Sequence, residues 1–147
     1  MLRDIMTNTG KVADATYSAG TDLVRGMVVV KSNGKTAFAT APTGDNVFFV
    51  DKEPIPAGVD SVRGELSDYD SSFENIKSGE KVVLKNYVAG ETIATDQIDS
   101  SVTKGVYLEA GTDGKLAAAG ASVITKMICG GDYDDNGHSL KLVEFVQ

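Results

Sequence analysis

Asn-Gly and Asp-Gly pairs recur between short apolar runs, and that punctuation limits what this chain can fold into more than any other feature. Asn33-Gly34 separates residues 23–31 from 36–40, Asp113-Gly114 separates 104–109 from 115–118, and Asn136-Gly137 lies between 122–129 and 139–146. The tightest hairpin turn needs positive φ at both central positions, which Asn and Gly tolerate best, so each pair predicts antiparallel strands on either side. Gly makes up 16 of the 147 residues against three Pro, a turn-rich balance suited to many short strands.

Further strands are expected over 46–50, 81–88 and 91–95, with a short one possible over 59–66. Pro54 and Pro56 bar ladder hydrogen bonds around them. Tyr69, Phe73 and Ile76 fall at helical spacing, so residues 67–77 can be read as one short helix or as a loop plugged by aromatics. Residues 1–20 show neither helical nor strand periodicity and read as an extended N-terminal arm that would order on a partner. The expected architecture is therefore all-β. A compact β-sandwich or small β-barrel of short antiparallel strands spans 21–147, with at most one short helix. The phrases beginning Arg25-Gly26 and Lys104-Gly105 echo each other weakly, which two unrelated hairpins would also do.

Charge and rare residues exclude several classes of function. With 14 basic and 21 acidic residues the net charge is −7, which disfavours nucleic acid or an anionic membrane as partner. A single Cys forms no internal disulfide, and it cannot build a zinc cage with the single His. No apolar run is long enough to span a membrane, and the first six residues lack the apolar stretch of a secretory signal.

Catalytic patterns are weak. Asp132-x-Asp134-x-Asn136-Gly137 matches the first half of a calcium loop, but Val143 stands where a bidentate Glu should close the shell, so an acidic hairpin turn is the preferred reading and no metal or other cofactor is expected. Cys129 and His138 flank that turn and would need a third, orienting group to act as a dyad; Cys129 reads better as a small buried hydrophobe. Gly130-Gly131 runs into Asp132, whose charge opposes phosphate binding, and no Gly-x-Ser-x-Gly elbow is present. The carboxylates are scattered over turns with no pairing that points to glycoside hydrolysis, and Trp is absent. A chain with this inventory is expected to work by surface contact, without catalysis.

Residues 19–30, the turn Asn33-Gly34-Lys35, the stretch 76–84, and Lys104-Gly105-Val106-Tyr107-Leu108 leading to Asp113-Gly114-Lys115-Leu116 resemble head decoration, or cement, proteins of tailed bacteriophages. The resemblance implies a virion structural protein, made in the host cytoplasm, that binds the outer face of an assembled capsid. It also implies a homo-oligomer, a trimer by preference, that ties neighbouring major capsid protein subunits together. On this reading the apolar residues of the arm, Leu2, Ile5, Met6, Val12 and Tyr17, are the candidate partner contacts. The alternatives are an oligomeric β binding module of a phage tail or fibre, a calcium-assisted adhesin, and a small hydrolase.

Overall fold

A computed structural model describes residues 1–7, 12–52 and 74–146. These form thirteen strands: β1 (Leu2–Met6), β2 (Val12–Asp14), β3 (Leu23–Val24), β4 (Val28–Ser32), β5 (Lys35–Ala37), β6 (Phe48–Asp51), β7 (Asn75–Ile76), β8 (Val83–Asn86), β9 (Thr92–Thr95), β10 (Tyr107–Ala110), β11 (Leu116–Ala118), β12 (Met127–Asp135) and β13 (His138–Phe145). A six-stranded sheet has the order β1-β9-β13-β12-β10-β11, a five-stranded sheet the order β2-β8-β6-β4-β5, and β3 pairs with β7. Every strand pair is antiparallel, as the turn chemistry predicts.

The hairpin turns follow from their residues. Asn33 and Asn136 take φ of 48° and 52°, and the glycines after them 75° and 90°, closing β4-β5 and β12-β13 with two-residue turns. The β10-β11 connection is longer, and there Gly114 is left-handed while Asp113 is not. The two echoing phrases thus end in different turns, in different sheets.

Pairing register explains which residues are buried. In the five-stranded sheet Val28, Phe49 and Lys85 share one face, and Val29, Phe48, Val50 and Leu84 the other. Both faces are covered, so its strands read as continuous apolar runs instead of alternating ones. The first face meets the six-stranded sheet across the main core, where Val28 and Phe49 pack with Leu2, Ile93, Leu108, Leu116, Met127, Val143 and Phe145. The second packs against Leu23 and Ile76 of the β3-β7 pair, with Ala19 and Val82. Phe49, Tyr87 and Phe145 close the main core with ring centroids 5.2 to 5.8 Å apart.

The other half of the seam between the sheets is ionic. Asp51 is buried; its carboxylate accepts from Arg25 Nε at 2.6 Å and pairs with Lys85 Nζ at 2.5 Å. Lys85 lies 3.7 Å from Asp4 of β1, which also accepts from the Tyr87 hydroxyl at 2.7 Å. Glu74 stands 3.8 Å from Arg25 Nη1 and 2.7 Å from the α-ammonium of Met1, which also pairs with Asp96. Low-dielectric charge is tolerated here because each buried carboxylate has a cation beside it.

Several expectations need correction. The arm expected over 1–20 is built into the fold in its described parts. β1 pairs with β9 from Leu2 opposite Thr95 to Met6 opposite Thr92, β2 pairs with β8, and Ser18 bridges Lys35 and Lys81. Its lack of periodicity reflects edge strands that are short and buried at only a few positions. The short strand at 59–66 and most of the helix at 67–77 fall outside the described residues; of that helix, Asn75 and Ile76 are in strand β7. The segment from Asp132 to Asp135 is strand, because β12 continues through a bulge at Gly130 up to the turn.

Gly26 holds the N-terminal strand against the seam. Its φ is +97°, and a Cβ there would lie 2.6 Å from both Met1 O and Thr95 Oγ1. Gly26→Ala is expected to cost at least about 2 kcal/mol through strain and displacement of β1. The check is a lowered urea midpoint with an unchanged m-value.

Candidate functional site

Pairing places the exposed apolar side chains together. A line of opposed residues crosses the six-stranded sheet from Met6 through Thr92, Glu144 and Ile128 to Tyr107. At or beyond that line stand Ile5 and Met6 at the end of β1, and Val88 in the turn before β9. Val146 follows β13, and Val123 and Ile124 lie in the approach to β12. These are all the large apolar side chains exposed among the described residues, with Ile124 at 66% and Met6 at 59%. The backbone fixes their neighbourhood: Gly90 N–H donates to Phe145 O at 2.8 Å, and Val146 N–H to Lys126 O at 3.0 Å. Thr125 anchors the loop carrying Val123 and Ile124 by donating its hydroxyl to Leu108 O at 2.6 Å.

Within this end a cavity of about 330 Å³ opens between the sheets. Phe49, Tyr87, Phe145 and Met127 line its depth, while Val88, Asn46 and Lys126 are also in its wall. Its size suits one or two inserted side chains, and of the exposed apolar residues at this end Val88 stands in its wall. Glu91 buries its carboxylate under the turn, accepting the Val88 N–H at 2.8 Å, which fixes how Val88 is presented.

The opposite end is polar. A second cavity, about 550 Å³, is lined by Asp96, Asp132, Asp134, Ser139, Lys141 and neighbours. Its acids are engaged: Asp132 pairs with Lys141 at 2.6 Å, Asp134 accepts the Gly137 N–H at 3.0 Å, and Asp96 holds the Met1 ammonium. Asp132 and Asp134 share one face of an extended strand, roughly 7 Å apart along it, whereas a calcium loop curls its oxygens around one cation; among the described residues no group of three or more His, Cys, Asp or Glu could hold a metal. Asn136 serves the turn itself. Cys129 is buried opposite Val143 and His138 is exposed opposite Asp135, so the extended strand between them separates the two by about 20 Å, far beyond dyad distance.

The candidate contacts of the arm divide. Ile5 and Met6 belong to the apolar end. Leu2 is buried in the main core and leaves no surface for a partner. The Val12 backbone pairs with Asn86 in β2. Tyr17 is half-buried under Lys31, whose ammonium lies 4.8 Å from its ring and 4.6 Å from that of Phe48. Lys31 also donates to Asp14 at 2.8 Å, and hydrogen bonds from Lys31 and Thr16 hold the Asp14 carboxyl well below the usual carboxylate range. Val88, Val123, Ile124 and Val146 were not legible as contacts: residues 122–129 read as one apolar strand, yet β12 begins only at Met127. Ser122, with φ of +66°, marks the turn that frees Val123 and Ile124 from the ladder.

The sequence matches no protein-family model and no curated protein.

Burial, and then the hydrogen bond to Asp4, push the Tyr87 phenol above its ordinary value. The fold thus favours the neutral phenol, giving stability that is complete below about pH 10, where tyrosine in an unfolded chain ionises, and lost as pH rises further. Tyr87→Phe is expected to cost about 1 kcal/mol at pH 7 and to lose less than the wild type between pH 9 and 11. Urea titrations at the three pH values check both.

Proposed function

We propose that this protein is a non-enzymatic virion structural protein that binds the outer surface of an assembled tailed-phage capsid and bridges major capsid protein subunits, acting as a homotrimer. The gathering at one end, where a cavity opens between the sheets, of the large apolar side chains exposed among the described residues carries this reading. The all-β architecture and the resemblance in residues 19–30, 33–35, 76–84, 104–108 and 113–116 support it. Binding the assembled lattice in preference to free subunits stabilises the shell by linkage alone, with no reaction required. Repetition over a symmetric lattice turns modest contacts into a large collective effect, and a trimer engaging three neighbours adds avidity.

The test is co-sedimentation with shells assembled from the major capsid protein of the genome that carries this sequence. The wild type should pellet with shells and leave unassembled subunits in solution. Ile124→Asp and Met6→Asp should weaken binding at least ten-fold without moving the urea midpoint, while Asp134→Ala, at the other end, should bind as the wild type does. No binding by the wild type, or equal affinity for free subunits, contradicts the reading.

A further inference from the structure

We propose that Asn33 is a site of covalent self-modification, at which the folded protein converts the Asn33 side-chain amide to a carboxylate through a cyclic imide, while the like pair Asn136-Gly137 is spared. The Gly34 amide nitrogen gives its proton to hydroxide and attacks Cγ of Asn33. The side-chain nitrogen takes a proton from water and leaves as ammonia. Water then opens the ring at either carbonyl, leaving aspartate or isoaspartate and one added negative charge. A glycine after the asparagine keeps the approach to Cγ open. Asn46, Asn75 and Asn86 are followed by Val47, Ile76 and Tyr87, whose side chains crowd that approach.

Both pairs occupy the same kind of two-residue turn, with Asn at φ of 48° and 52° and Gly at 75° and 90°, so backbone conformation does not separate them. The partner of the attacking nitrogen does. Gly137 N–H donates to the Asp134 carboxylate at 3.0 Å, which favours the protonated amide and opposes the anion that must form. Asn33 and Gly34 are exposed, and among the described residues no hydrogen bond engages the Asn33 side chain or the Gly34 N–H. Nothing lies within 4 Å of where a Gly34 Cβ would stand. Isoaspartate would lengthen the main chain of this turn by one carbon. The Gly34 carbonyl accepts Ser18 N–H at 3.2 Å, and Thr36 N–H donates to Ser18 O at 2.9 Å. Ser18 also bridges Lys81 just ahead of β8, so the altered turn loosens the chain that joins β5 to that strand.

Peptide mass spectrometry of the native protein incubated at pH 8 tests this, with isoaspartate read by methyltransferase labelling. The peptide holding Asn33 should acquire the mass of the amide-to-acid exchange at least ten times faster than the one holding Asn136. In urea, where the Asp134 contact is gone, the two should convert at similar rates. Asp134→Ala should raise the Asn136 rate in the folded protein at least three-fold. Equal native rates, faster conversion at Asn136 or an Asn33 that stays intact overturns the proposal, as does an Asn136 rate that Asp134→Ala leaves unchanged.

Discussion

The fold depends on how one buried carboxylate is neutralised. Asp51 occupies an inward position of a strand whose preceding inward residue is Phe49, and a charge there is sustainable only with both Arg25 and Lys85 against it. Satisfying Asp51 fixes the turn that carries Arg25, and that turn meets the start of β1 so closely that Gly26 has no room for a side chain. Lys85 in turn faces Asp4, so the ionic half of the seam reaches from the five-stranded sheet to the edge of the six-stranded one.

A molecule held this way has two unlike ends. Along the six-stranded sheet the buried Phe49, Tyr87 and Phe145 cluster stands toward one end and the Lys141–Asp132 pair toward the other, and the surface changes in the same sense, from exposed apolar side chains to acids. With a net charge of −7 the molecule is repelled by its own kind at long range, and the apolar end is where short-range contact can overcome that repulsion. The proposed cementing role uses this asymmetry: one end seats on the lattice, the other stays solvated.

Strands and turns were legible because local chemistry decides them. Asn33-Gly34 and Asn136-Gly137 take the conformations their residue types favour, and the doubled apolar runs at 28–30 and 48–50 reflect a sheet covered on both faces. What was not legible depends on distant partners. Nothing near Leu2 in sequence shows that it belongs in the main core; its neighbours there come from β4, β6 and β9 to β13. Asp132 and Asp134 resemble a calcium loop and a strand equally well until the bulge at Gly130 and the pairing with Lys141 are known. Beyond Ile5 and Met6 the apolar end is not legible, because its members are separated by up to 141 positions, 146 − 5, and meet only through register.

The central claim is that the charges in the seam set where strands lie more than how strongly they hold. Urea unfolding of Asp51→Leu alone, beside the combination Arg25→Met, Asp51→Leu and Lys85→Met, tests it most directly. Removing the anion alone strands two cations and should cost about 3–5 kcal/mol, whereas the apolar triple replacement should recover most of that loss. A triple variant less stable than the single one would contradict the account.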